Sequence, residues 1–193
     1  MPTAWSGTIL PYLRNPLAAL LLLGCAPVWA EQVYLEPEAY VAQQLPQAGD
    51  AKSLWITGDL RAQTETILGH RPLALRQRYW QSGSRSIWIL EEIGKEEPIT
   101  AGFVVEDDRL IDTRVLVFRE SRGWEIRYPQ FTAQFDNATI DSDLNLDRTI
   151  DGISGATLSV NAMRKLARLA LIYHRHVNDE SATVSSRNRA SSS

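Results

Sequence analysis

Apolar residues recur with two different periods along this chain, and the switch between them predicts its architecture. In the run Leu110 to Phe118, Ile111, Thr113, Val115 and Val117 alternate with Asp112 and Arg114, the period of two expected of a strand with one solvated face. The run Ile99 to Glu106 precedes it across Asp107-Asp108-Arg109. Upstream, Arg76 to Trp80 and Ser86 to Ile93 flank Ser82-Gly83-Ser84, the composition of a hairpin turn. From Leu158 to about His176 the period changes, with Met163, Leu166, Leu169, Ala170 and Tyr173 near helical spacing. The pattern predicts an α+β fold: an antiparallel sheet of hairpin-linked strands with a long C-terminal helix packed on it.

Shorter elements surround this frame. Glu36-Pro37-Glu38 opens a short helix through Tyr40, Val41 and Leu45, with proline where its missing N–H costs little, and Pro46 to Asp50 breaks it. Ser53 to Thr57 reads as a strand, and Asp59 as the cap of a helix that buries Leu60, Ile67 and Leu68 and closes at Gly69. Pro129 to Phe135 predicts a short helix presenting Phe131 and Phe135 on one side, followed by a polar connection from Asp136 to Arg148. Residues 178–193 are Ser-, Arg- and Asn-rich with little to bury, the composition of a disordered tail.

The N-terminal residues 1–30 read as a signal peptide. They hold no acid, one charged side chain at Arg14, the apolar run Leu17 to Cys25, and then Val28-Trp29-Ala30 before Glu31. Small residues in that arrangement predict cleavage after Ala30, and the apolar run falls short of the ~20 residues that span a bilayer. Two alternatives stay open, an uncleaved anchor and lipidation of Cys25, which stands in a loose lipoprotein box at Leu22-Leu23-Gly24-Cys25. Cleavage after Ala30 leaves no cysteine, and with it no iron–sulfur cluster, c-type haem or disulfide.

Charge and histidine content narrow the chemistry further. A formal net charge of -3 offers no basic patch for nucleic acid. Of the three histidines, His70 stands alone, and His174 and His176 are expected as solvated or dipole-complementing residues late in the last helix. The sequence also lacks a Gly-x-Gly-x-x-Gly or P-loop signature, so no nicotinamide or ATP site is expected.

The candidate chemistry lies just before the long helix, in Asp151-Gly152-Ile153-Ser154-Gly155-Ala156-Thr157. Unpaired N–H groups and the positive dipole end of a helix N-terminus stabilise an anion, and Gly152, Gly155 and Ala156 let a phosphate approach the backbone. Ser154 and Thr157 add hydroxyls that can donate to phosphate oxygens or be esterified. At these residues the chain resembles the FMN-binding domain family, which includes the covalently flavinylated subunits of sodium-translocating NADH:quinone reductase and of Rnf-type complexes. The flavinylation signature runs Asp, two variable residues, Ser or Thr, Gly, Ala, Thr, and residues 151–157 supply it in register.

The resemblance extends over roughly Ile87 to Tyr173 and implies an FMN-binding domain over 70–177, preceded by a helix and strand extension at 31–69 that acts as a variant-specific layer or docking surface. It implies covalent FMN, taken from FAD by a dedicated flavin transferase and joined by a phosphoester to Thr157. It also implies an exported, periplasmic electron carrier that exchanges electrons with a membrane-embedded reductase or redox subunit and is not an enzyme by itself. Glu120 is carried over as a flavin contact, although Ser121, Arg122, Gly123 and Trp124 replace the family's usual Thr and Gly-rich turn. Trp55, Trp80, Trp88, Trp124 and Tyr128 are candidates to stack on the ring, Trp124 foremost.

Two other classes compete. Gly152-Ile153-Ser154-Gly155-Ala156 resembles a distorted nucleophile elbow of a serine hydrolase, with Ala156 where the elbow needs glycine. The other is an exported interaction module that carries no flavin.

Overall fold

A computed structural model describes residues 31–47 and 49–190. The expected signal peptide, its processing site at Ala30, and Cys25 lie outside the described residues.

The fold is α+β, as the two periods predict. Its strands are β1 (Gln32–Val33), β2 (Lys52–Trp55), β3 (Arg76–Ser82), β4 (Arg85–Ile93), β5 (Pro98–Glu106) and β6 (Arg109–Phe118). They form one six-stranded sheet in the order β1-β6-β5-β4-β3-β2, with every neighbouring pair antiparallel. The helices are α1 (Pro37–Gln44), α2 (Gly58–Leu68), a short α3 (Pro129–Thr132) and the long α4 (Thr157–Ala190).

Turn chemistry sets the hairpins. Gly83, at φ 58°, turns β3 into β4. The tight β5–β6 connection pairs Glu106 with Arg109, which requires Asp107 and Asp108 to adopt φ 49° and 60°. Both central residues of such a loop must be left-handed, and a short polar side chain tolerates this better than an apolar one.

The two faces of the sheet are covered differently. On one, Trp88, Leu90, Ile99 and Phe103 pack with Met163, Leu166, Ala170 and Tyr173 of α4, and Leu60, Ile67 and Leu68 of α2 complete this core. Trp88 stacks on Tyr79 at 4.7 Å between ring centroids. The other face is not simply solvated as the period of two predicts, because Tyr40, Val41 and Leu45 of the α1 region bury Ile87, Val104 and Leu116. Tyr40 lies directly over Gly102, where any Cβ would collide with its ring. Its hydroxyl donates to Asp112 Oδ2 at 2.8 Å, and burial pushes the phenol far above its ordinary range. Burying that ring contributes roughly 2 kcal/mol.

Residues 31–69, set apart in the sequence as an extension, supply both edge strands and one helix for each face.

Several local expectations are corrected. Thr57, with extended backbone, holds the N-cap position of α2, and Asp59 lies inside its first turn, while Gly69 at φ 77° closes it as expected. Ile111 does not face the core but is 39% exposed, because a bulge shifts the pairing from Val104↔Asp112 to Val105↔Leu110 and leaves it without a partner. The short helix at 129–135 is α3 followed by a 3₁₀ turn at Ala133–Phe135, with Phe131 and Phe135 edge to face at 5.6 Å.

His174 is fully buried rather than solvated. Its Nδ1 is 2.7 Å from Ser86 Oγ and its Nε2 2.9 Å from Asn178 Nδ2. Finally, α4 runs to Ala190 through residues read as a disordered tail. Composition pointed to too little burial, but no glycine or proline interrupts the chain after Gly155, and Ser181 and Thr183 hydroxyls donate back to Val177 and Asp179 carbonyls.

Candidate functional site

The site forms where three backbone reversals meet at one end of the sheet. The first is the turn after β4, closed by the Gly94 N–H donating to Glu97 O at 3.1 Å. The second is the loop after β6. Its Glu120 carboxylate reaches across to that turn and accepts the backbone N–H groups of Lys95, Glu96 at 3.1 Å and Glu97 at 3.5 Å. A Cβ at Gly94 would press on the Glu120 carboxylate, which would have to move off the turn to admit it.

The third reversal leads into α4. Ile150 is buried, its carbonyl accepting from the Arg164 guanidinium, and the Asp151 N–H donates to Gln134 Oε1 at 2.6 Å. These contacts hold the incoming chain against the 3₁₀ turn at Ala133–Phe135 and against α4. Gly155 then adopts φ 80° with open space where a Cβ would be, and the Ala156 N–H donates to Ile153 O at 3.0 Å. Gly123 locks the second reversal onto the third. At φ 88° it approaches so closely that a Cβ would stand 2.7 Å from Ser159 Oγ and 3.3 Å from Ala156 Cβ.

The half-open cleft between these reversals has a volume of about 660 Å³, lined among others by Lys95, Glu120, Ser121, Arg122, Gly155 and Thr157. That is within the range of small-molecule sites. Thr157 is exposed at the first position of α4, where the helical N–H groups have no preceding carbonyls to bond.

Of the seven residues singled out in the sequence, the fold brings Gly155, Ala156, Thr157 and Glu120 into this one cleft. Ser154, Asp151 and Gly152 are exposed on the approach to it and are not among its lining residues. Glu120 is committed to the backbone of the β4–β5 turn, so its carboxylate shapes the cleft wall.

The aromatic candidates lie elsewhere. Trp88 is wholly buried, Trp55 is 61% exposed on an edge strand, and Trp124 and Tyr128 are 38% and 41% exposed. Trp124 and Tyr128 flank the Arg127 guanidinium, whose centre is 5.3 Å and 5.2 Å from their rings and 4.6 Å from that of Tyr34. None of the five lines the Thr157 cleft.

The cations Lys95 and Arg122 and the Ser121 hydroxyl went unrecognised as site residues. Lys95 is separated from Thr157 by most of the domain, and nothing short of the strand register brings them together. Arg122 lies two residues after Glu120, in the loop that follows β6.

The donors that suit a phosphate are the helix N–H groups, the hydroxyls of Ser121 and Thr157, and the Arg122 cation; Lys95 is paired with Glu96 at 3.0 Å, and Glu96 and Glu97 also line the cleft. The site does not suit a serine hydrolase. Among the described residues, His174 lies roughly 25 Å along α4 from its first residue and is bonded to Ser86, His176 lies farther along and faces Glu180 at 3.3 Å, and His70 is engaged with Glu92 at 3.2 Å, so none of the three histidines supports Ser154 as a nucleophile.

Residues 94–172 match the family model of the FMN-binding domain. The matched span opens on Gly94 and closes within α4, so it contains all three reversals that build the cleft. No curated protein matches the chain.

Proposed function

The chain carries a domain of the FMN-binding family over residues 94–172, and we propose that it is an exported electron carrier holding FMN covalently by a phosphoester on Thr157. The observation that supports this reading best is the position of Thr157: exposed, first in α4, and facing a cleft of about 660 Å³ that also presents Arg122 and Lys95.

The ring system supplies the redox chemistry when bound, and the chain supplies attachment, position and charge. Thr157 would hold the FMN phosphate through an ester at Oγ1, with a flavin transferase supplying FMN from FAD and AMP leaving. The α4 N-terminus then stabilises the phosphate through its free N–H groups and dipole. Gly155 keeps the approach clear of side-chain bulk, and Ser121 and Arg122 offer a donor and a cation from the opposite wall. A covalent tether prevents loss of the cofactor outside the cytoplasm, which agrees with the leader-like residues 1–30. Electrons then pass to or from a membrane-embedded redox partner.

The test is Thr157→Ala in cells that also express a flavin transferase, read by in-gel flavin fluorescence after denaturation with circular dichroism as the folding control. Covalent flavin is expected to vanish while the fold survives with a loss of at most ~1–2 kcal/mol. Thr157→Ser is expected to retain partial attachment. A folded Thr157→Ala that still fluoresces covalently would place the ester elsewhere. A wild-type protein that never acquires flavin would favour the interaction-module reading.

A further inference from the structure

A run of side-chain hydrogen bonds crosses the domain from β2 to α4 and takes no part in the Thr157 cleft. It begins at Lys52, whose ammonium donates to Gln81 Oε1 at 3.2 Å. Gln81 Nε2 donates to Asn178 Oδ1 at 2.8 Å, and Asn178 Nδ2 stands 2.9 Å from His174 Nε2. An ammonium only donates, so each amide is oriented by the group before it, and the run of donations ends on Nε2. That nitrogen is therefore an acceptor. The neutral ring then carries its proton on Nδ1, 2.7 Å from Ser86 Oγ, and Ser86 also accepts the Trp88 indole N–H at 2.7 Å, which anchors this end in the core.

A second proton on this ring has no acceptor in the same arrangement. An Nε2–H would face the Asn178 amide hydrogens, and the amide cannot reverse without setting those hydrogens against the ones Gln81 donates. The charged groups around the ring are few. Asp107 and Asp108 stand in the β5–β6 turn, with Asp108 Oδ1 4.0 Å from Nε2 and exposed. Arg175 follows on α4 and donates to Ile140 O at 3.2 Å. Arg85 of β4 and Glu106 of β5 are paired with each other at 2.8 Å, while Gln81 of β3 is uncharged and separates the ring from Lys52. Burial holds the ring below its ordinary range, the two aspartates oppose that shift, and Arg175 adds to it. Among these groups, Asp108 is the one that can take an Nε2–H after a small side-chain movement.

We propose that His174 is a proton-operated latch on the last part of α4, closed when the ring is neutral and opened when it takes a proton from solvent and turns to Asp108. Closed, Nε2 accepts from Asn178 and completes the link from α4 through Gln81 to β3. Opened, Asn178 loses that acceptor and its bond to Gln81 is given up. Among the described residues, Val177 is the last buried apolar side chain of α4, and the Asn178–Gln81 bond is its last side-chain hydrogen bond to the sheet. The later hydroxyls of Ser181 and Thr183 bond within the helix. Opening therefore loosens α4 beyond Val177, while the part from Met163 to Tyr173 stays packed on the sheet. Thr157 is roughly 25 Å away along the helix, so the latch acts on the far end of α4 and the inference does not depend on FMN being attached.

The experiment is NMR of the nitrogen-labelled full chain, following the His174 ring nitrogens and the amide-exchange protection of residues 179–183 from neutral pH down to the loss of the fold. At neutral pH the ring proton is expected on Nδ1. The ring should titrate below about pH 6.5 with the domain still folded, and protection at 179–183 should fall about two- to tenfold with the same midpoint, the worth of one hydrogen bond. Gln81→Ala should show the lowered protection already at neutral pH, with no further fall as His174 titrates. Asp108→Asn removes the carboxylate that favours the charged ring, so it should lower the midpoints of titration and of protection together. A neutral ring protonated on Nε2, a ring that stays neutral until the whole domain unfolds, or protection at 179–183 that is unchanged through the titration overturns the latch. So does a Gln81→Ala chain that keeps the wild-type response. An unmoved midpoint in Asp108→Asn overturns the assignment of Asp108 as the acceptor.

Discussion

Glu120 offers the sharpest test of how the cleft is built. Its carboxylate accepts three backbone N–H groups of the β4–β5 turn, from Lys95, Glu96 at 3.1 Å and Glu97 at 3.5 Å. The last is long enough to count little, so about two effective bonds are lost in Glu120→Ala. Hydrogen bonds to a charged group contribute ~1.5–3 kcal/mol when sheltered, and the partial exposure of Glu120 reduces each to ~0.5–1. The expected loss is ~1–2 kcal/mol, a fall in Tm of about 3–6 °C for a chain of this size.

Glu120→Gln keeps an uncharged acceptor and should lose about half as much. The assay pairs thermal denaturation with amide exchange, in which the N–H groups of residues 95–97 should lose protection ahead of the rest of the sheet. Covalent flavin should decline only as far as the cleft wall loosens. A Glu120→Ala protein with unchanged stability and unchanged exchange at 95–97, but no flavin, would refute the clamp and make Glu120 a direct cofactor contact.

Other consequences are equally open to measurement. Gly155→Ala forces a side chain into the left-handed region with no compensating contact, so stability should drop ~1–2 kcal/mol and flavin attachment should fall with it; urea denaturation and in-gel fluorescence read the two effects. Burial holds His174 below its ordinary range. The unfolded chain therefore takes up a proton near pH 6.5 that the folded chain refuses, and stability should decline as pH falls from about 6.5 through the depressed folded value. His70 is raised, chiefly by its bond to the Arg71 carbonyl and then by Glu92, so its contribution is full below about pH 6.5 and fades as pH rises through the folded value, the opposite slope. Measuring Tm against pH in a His70→Gln background isolates His174, and His174→Gln in that background should flatten the acid-side decline.

The sequence alone predicted the central hairpins and the long helix and offered a candidate anion site before that helix, because these readings depend on local information. The period of two in β6, the turn residues at Gly83 and Asp107-Asp108, and the helical spacing after Leu158 act through neighbours a few positions apart. The run from Asp151 to Thr157 likewise carries its own reason, since a glycine-containing turn before a helix presents N–H groups wherever that helix goes. Tertiary structure decided what depends on register and on contacts distant in sequence. Only strand order brings Lys95 and Arg122 to Thr157, and only the bulge at Val104/Val105 explains why Ile111 leaves the core. Burial of His174 against Ser86 joins residues 88 apart in sequence. Each side chain reads as ordinary in its own segment, and its role is set by partners that no local pattern of apolar and polar positions encodes.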